Sequence, residues 1–198
     1  MKKSFLFLTS FLIIILFLNF RQSNTYKDGD IIFQTTSGPT GKAIQLATHS
    51  QYNHCGLLFF ENNEWVVYEA VQPVRKTSLT EFNARGKGTI KRLANISLSN
   101  ADVTKLKALF KSTFENKNYD EAFNWSDDQI YCSELVFKLY HKALNIELCK
   151  PRKLSDFDLS HPLVKEKLNE KYNHNIPLNE PMVSPEDIFS STLLSSVK

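Results

Sequence analysis

The chain has 198 residues, 42% of them hydrophobic, with 24 Lys and Arg against 21 Asp and Glu and a formal net charge of +3. That length can bury one sizeable core, and the basic residues are scattered rather than gathered in a stripe, which argues against a nucleic-acid partner. Three cysteines, Cys55, Cys132 and Cys149, do not make the dense, even set of a disulfide-stapled exported domain.

The chain opens with Lys2 and Lys3 and then runs apolar from Phe5 to Phe20. A basic stretch followed by a hydrophobic one is the layout of a secretory signal. The run is a little short for a transmembrane helix, which needs about 20 residues. No A-x-A-like cleavage site follows it, Arg21 comes directly after it, and no cysteine follows for lipoprotein processing. Residues 1–24 are expected to direct export to the periplasm or cell envelope, as a cleaved signal or as an anchor seated in the membrane through residues 5–20. Residues 25–198 are expected to form a single domain.

In "YKDGDIIFQTT" a turn at Asp28-Gly29 leads into a short strand, Ile31 to Phe33. Pro39 and Gly41 open a helical segment around Ala43 to Thr48. The clearest hairpin joins "NHCGLLFF" to "WVVYEAV" through "ENNE". A further strand is predicted at Thr89 to Leu93, after the glycine-marked turn "ARGKG". From "SLSNADV" the period becomes helical, with Val103, Leu106, Phe110 and Phe114 on one face and Ser99 or Asn100 as N-cap. Past Cys149 five prolines break the chain into short pieces, the last of which, "SPEDIFSS", starts a helix with Ser184 as cap and Pro185 in its first turn.

If Asn62-Asn63 forms a two-residue turn, Glu61 faces Glu64 and Gly56 faces Glu69. Alternation then puts His54 and Glu69 on one sheet face, one diagonal step apart, and Cys55 on the other face. A slip of one residue would separate the pair. Alone, His54 reads as an ordinary strand histidine and Cys55 as a small buried hydrophobe.

In "SDDQIYCSELVFKLYHKAL", Cys132, Val136, Leu139 and Ala143 form one apolar stripe. Ser126 with Gln129 resembles a capping box, and Asp127 or Asp128 could equally cap the helix. Cys132 therefore falls in or near the first turn, where free N–H groups and the helix dipole favour a thiolate and could stabilise an oxyanion. A cysteine on such a stripe also reads as packing. What separates the readings is a base within reach and a group to orient it. A helix laid by its Cys132 stripe on the His54–Glu69 face would complete Cys–His–Glu. His49, His54, Cys55 and His141 have no zinc-like spacing, and no metal or cofactor is expected.

Together "GDIIFQTTSGPTGKAIQLATHSQYNHCGLLFF", "YEAVQPV", "ARGKG", "YCSELVFKLY", "FDLSHPLVKEKLNEKY" and "VSPEDIF" resemble the YiiX-like family, relatives of NlpC-type cell-wall peptidases. The similarity runs from about Gly29 to Phe189. It implies an α+β fold of the circularly permuted papain-like type, an antiparallel sheet packed against a cysteine-bearing helix, with the histidine preceding the cysteine in the chain. It also implies Cys132 as nucleophile, His54 as base and Glu69 as the residue orienting it. Cys55 departs from the aliphatic residue expected at its position.

The expected activity is a thiol amidase or peptidase of the cell envelope, acting on peptidoglycan peptides. Because the permuted branch includes relatives of lecithin:retinol acyltransferase, a thiol acyltransferase or lipid hydrolase acting on acyl esters is the alternative. An apolar slot beside the thiol would favour it, and a narrow polar groove would favour the peptidase. A non-catalytic envelope binding module is the third reading. The proline-rich tail is expected to wall the groove.

Overall fold

The computed structural model describes residues 26–197, so the expected signal or anchor, residues 1–24, lies outside the described residues. Its framework is a six-stranded sheet in the order β4-β3-β2-β1-β5-β8, antiparallel at every pairing. The strands are β1 (Ile31–Gln34), β2 (His54–Glu61), β3 (Glu64–Glu69), β4 (Arg75–Ser78), β5 (Gly88–Leu93) and β8 (Leu194–Ser196). A two-residue ribbon pairs β6 (Arg152–Lys153) with β7 (Pro181–Met182). The β2–β3 hairpin has the predicted register, from Leu57↔Tyr68 to Glu61↔Glu64. Its turn residues Asn62 and Asn63 take positive φ of 49° and 67°, a conformation asparagine tolerates better than most side chains.

Among the described residues six helices surround the sheet: α1 (Pro39–Thr48), α2 (Leu79–Ala84), α3 (Asn100–Leu109), α4 (Cys132–Leu144), α5 (Pro162–Tyr172) and α6 (Pro185–Phe189). One sheet face, with Phe33, Cys55, Leu57, Phe59 and Tyr68, packs against α4 and against Leu106, Phe110 and Phe114. The opposite face, with Ile32, Leu58 and Val67, is covered by Phe82 of α2. A separate apolar cluster joins Ala43 of α1 to Leu154, Val164 and Leu168. Covered on both faces, β1 is buried along its whole length, which is why it reads as a run of apolar residues rather than an alternation.

The helix starts follow capping chemistry. Ser99 caps α3 and exchanges hydrogen bonds with Asp102, and Ser184 does the same with Asp187 at α6, where Pro185 is the first helical residue. The α3 axis then widens into one π turn, Phe110–Phe114, that keeps both phenylalanines buried. α1 begins four residues earlier than the sequence periodicity suggests, because Pro39 occupies a first-turn position after Gly38, whose φ is 119°. The tail is more regular than its prolines suggest. Pro162 starts an 11-residue helix, α5, of which only Val164 and Leu168 are buried, too thin a stripe to stand out in the sequence.

Candidate active site

His54 is the first residue of β2, three positions before the ladder with β3 begins at Leu57. Its Nε2 lies 2.6 Å from Glu69 Oε2, both side chains being buried. Gly56 makes this approach possible: a Cβ there would stand 2.5 Å from Val67 Cγ1, 2.9 Å from the Tyr68 carbonyl oxygen and 3.3 Å from Glu69 Cβ. Glu69 is fully buried and ion-paired on its other oxygen, Oε1, with Arg85 Nη2 at 2.6 Å. Its carboxyl group is pushed up by burial, but bonding to His54 and the Arg85 charge outweigh this and hold it below the ordinary range. The Phe82 ring stacks on the imidazole, centroids 5.7 Å apart and planes 27° apart.

The cysteine helix lies on the other face. The Cys132 stripe was expected against His54 and Glu69, whereas Cys132, Val136 and Leu139 pack into the layer containing Cys55, Leu57 and Phe59. The reason is apolar area: the Cys55 face offers a continuous hydrophobic surface, while the other face presents a charged pair at its end. The three groups still meet, because His54 sits past the end of the β2–β3 ladder, within reach of the helix start from one side and of the carboxylate from the other. The Cys132 thiol and the His54 imidazole are close enough for each to shift the other's protonation. With Nε2 committed to Glu69, the nitrogen left for the sulfur is Nδ1.

The helix begins at Cys132 itself, with Tyr131 as N-cap, rather than behind a Ser126–Gln129 box or an Asp127 or Asp128 cap. The Glu134 carboxylate turns back to accept from the Tyr131 N–H at 3.4 Å. As the first helical residue, Cys132 has a backbone N–H with no intrahelical acceptor. Its thiol is held well below the ordinary range, foremost by a hydrogen bond from the Cys55 thiol and then, against burial, by the His54 imidazole and the Cys55 backbone. Cys55 is core as expected, yet being on the α4 face makes it a neighbour of the sulfur as well. Burial alone would push His54 down; its contacts with Cys132 and Glu69 raise it to about 9. A buried thiolate–imidazolium pair with a carboxylate behind it is a constellation able to attack a carbonyl.

An apolar pocket opens beside the sulfur. Leu154, Phe157, Val164, Leu168 and Met182 from the chain after Cys149 wall it, and Cys132 lies in its lining. Val183 ties this wall to the helix start: its N–H donates to Tyr131 Oη at 3.2 Å and its carbonyl accepts from Ser133 Oγ at 2.7 Å. Across the helix, Lys138 is buried and its Nζ lies 2.7 Å from Glu134 and 2.9 Å from Asp127. Arg85, Phe82 and Lys138 were not singled out from the sequence. "ARGKG" read only as a turn, and a lysine four residues after a glutamate reads as a surface pair.

A histidine at a strand start, a carboxylate behind it and a helix-start thiol reached later in the chain define a permuted papain-like cysteine hydrolase. The chain belongs to the permuted papain-like amidase enzymes of the YaeF/YiiX, C92 family, whose profile matches residues 25–198. It is 44% identical over 172 residues to the YiiX protein of Escherichia coli K12, covering 85% of this chain and 84% of that protein. It is also similar to the crystal structure of yiiX from Escherichia coli O157:H7, with 44% identity, a TM-score of 0.84, and coverage of 88% of this chain and 98% of that one. That protein is described as a metalloprotein. Among the residues described here no three His, Cys, Asp or Glu side chains converge to hold a metal ion.

Proposed function

We propose that the protein is an exported cell-envelope thiol hydrolase that cleaves amide bonds, peptidoglycan peptides among them, through an acyl-enzyme on Cys132. The observation that carries this reading is His54 held between Glu69, at 2.6 Å, and the Cys132 thiol. The thiolate attacks the carbonyl carbon, and the oxyanion that forms is met by the free Cys132 N–H. The His54 imidazolium gives its proton to the leaving group, and the neutral imidazole then takes one from the water that releases the acyl group. Glu69 holds the ring and stabilises its cationic form. Export rests on the Lys2-Lys3 and Phe5–Phe20 pattern.

The pocket supports a second reading. A wall of Leu154, Phe157, Val164, Leu168 and Met182 beside the sulfur suits an alkyl chain better than a charged diamino-acid peptide. In this reading the acyl part of the scissile amide or ester is a fatty chain, and the acyl group passes to water or to an acceptor.

Intact-mass detection of the acyl-enzyme decides between them. The full chain is incubated with muropeptides and with short- and long-chain acyl amides and esters. A peptidyl adduct on Cys132 supports the first reading. A long-chain adduct that Leu168→Glu removes, while a short-chain adduct persists, supports the second. Equal iodoacetamide labelling of Cys55, Cys132 and Cys149, with no adduct, overturns both and leaves a binding module.

A further inference from the structure

We infer that Arg85 is a positioning residue for the thiol reaction, its charge allowing the buried site to hold thiolate, imidazolium and carboxylate at the same time. The inference rests on the Cys–His–Glu reading proposed above and extends it to a residue outside the triad.

Cys132 and Glu69 together carry two negative charges in their reactive states and His54 carries one positive charge. All three side chains are buried, where an uncompensated charge is strongly disfavoured. The Arg85 guanidinium brings the sum to zero. Its Nη2 lies 2.6 Å from Glu69 Oε1, the oxygen that His54 does not use. The two cations therefore take one carboxylate oxygen each, which fixes the carboxylate plane and, through it, the imidazole.

The other groups facing the sulfur do not supply this charge. Cys55 of β2, and Tyr119 and Tyr131 from the segment before α4, are each pushed well above their ordinary ranges by burial and remain neutral. Glu134 on α4 is matched by Lys138 at 2.7 Å. Asp120, also buried, is pushed up by burial and accepts backbone N–H groups from Ala122 and Asn124.

Arg85 is also held in place by structure next to the base. Gln34, the β1 register partner of His54, is fully buried and donates its side-chain amide to the Phe82 carbonyl at 2.6 Å and to the Gly86 carbonyl. These two carbonyls flank Arg85, the residue that ends α2. At Gly86 φ is 156° and a Cβ would stand 2.3 Å from the Thr35 carbonyl oxygen. The guanidinium carbon lies 5.2 Å from the centroid of the Phe82 ring, which itself stacks on His54. Arg85 Nε is buried without an acceptor, so the group is aimed at Glu69 at the expense of its own hydrogen bonding.

The test is the pH dependence of Cys132 labelling by iodoacetamide, read by peptide mass spectrometry on the full chain, with thermal melting as a check of folding. Arg85→Met and Arg85→Gln are expected to move the labelling midpoint upward by about one pH unit or more, and Arg85→Lys to restore at least half of that shift. Gln retains a hydrogen-bond donor without charge, so the decision can be read on it should Met not fold. A Gln midpoint equal to wild type, or a Lys variant that behaves as Gln does, overturns the inference. His54→Ala runs beside them. If it leaves Cys132 labelling unchanged, the thiol reading itself fails; if it impairs labelling while Arg85→Gln does not, only the role of Arg85 fails.

Discussion

On one face of the sheet Cys55, Leu57 and Phe59 meet the cysteine helix in an apolar layer, and on the other His54 and Glu69 meet Phe82 and Arg85 in a charged one. Both layers end at the first residue of β2. The apolar face fixes where the sulfur is, through packing that is indifferent to pH. The charged face fixes the protonation state of the group beside it, through contacts that are not. Position therefore comes from the apolar side, while charge is set from both, by His54 and Glu69 on one side and by the Cys55 thiol on the other.

Substitutions on each face should separate these contributions. The largest effect is expected from His54→Ala, which removes the junction itself: turnover should fall by about 10²-fold or more, followed by the same acyl-enzyme assay. In the intact protein His54 is protonated up to about 9 and Cys132 is deprotonated well below the ordinary thiol range. The pair thus exists in the window between, and turnover should decline as pH rises through about 9, when the leaving group loses its proton donor. Lys138→Met breaks the helix side alone. Burial already pushes the Glu134 carboxyl up to about 8, so without its cation it takes a proton, and the lost hydrogen bonding should cost about 1–3 kcal/mol in urea unfolding. Gly56→Ala forces a Cβ between Val67 and Glu69. Overpacking of that kind costs about 1–3 kcal/mol, and Cys132 labelling should slow more than stability alone accounts for. Cys55→Ala, on the apolar face, removes the neighbour that lowers the Cys132 thiol most; losing that S–H donor should cost about 1 kcal/mol, seen as an upward move of the labelling midpoint by about 0.7 of a pH unit.

The hairpin register was legible because Asn62-Asn63 specifies a two-residue turn, and once that is set the juxtaposition of His54 with Glu69 follows from pleating. The helix carrying Cys132 was legible from its stripe. Which face it chose was not, since a stripe records that a helix is buried and not against what; the apolar area of the Cys55 face decided it. β4 and α2 were missed for a related reason. "RKTS" is polar and half-exposed, and α2 buries Phe82 alone, so neither carries enough apolar residues to show a period. Arg85 could be placed only by long-range structure, because the turn it occupies is held by Gln34, some fifty residues earlier in the chain.

The two hydrogen bonds of Val183 join stretches of chain with different duties. The groups proposed for the chemistry lie between His54 and Lys138, whereas most of the apolar wall lies after Cys149. A relative could exchange or rebuild its last quarter and so acquire a new preference without disturbing the residues proposed to cleave, provided a backbone N–H and carbonyl still met Tyr131 and Ser133. On the proposed reading selectivity would be separable in heredity from reactivity, with one residue as the seam.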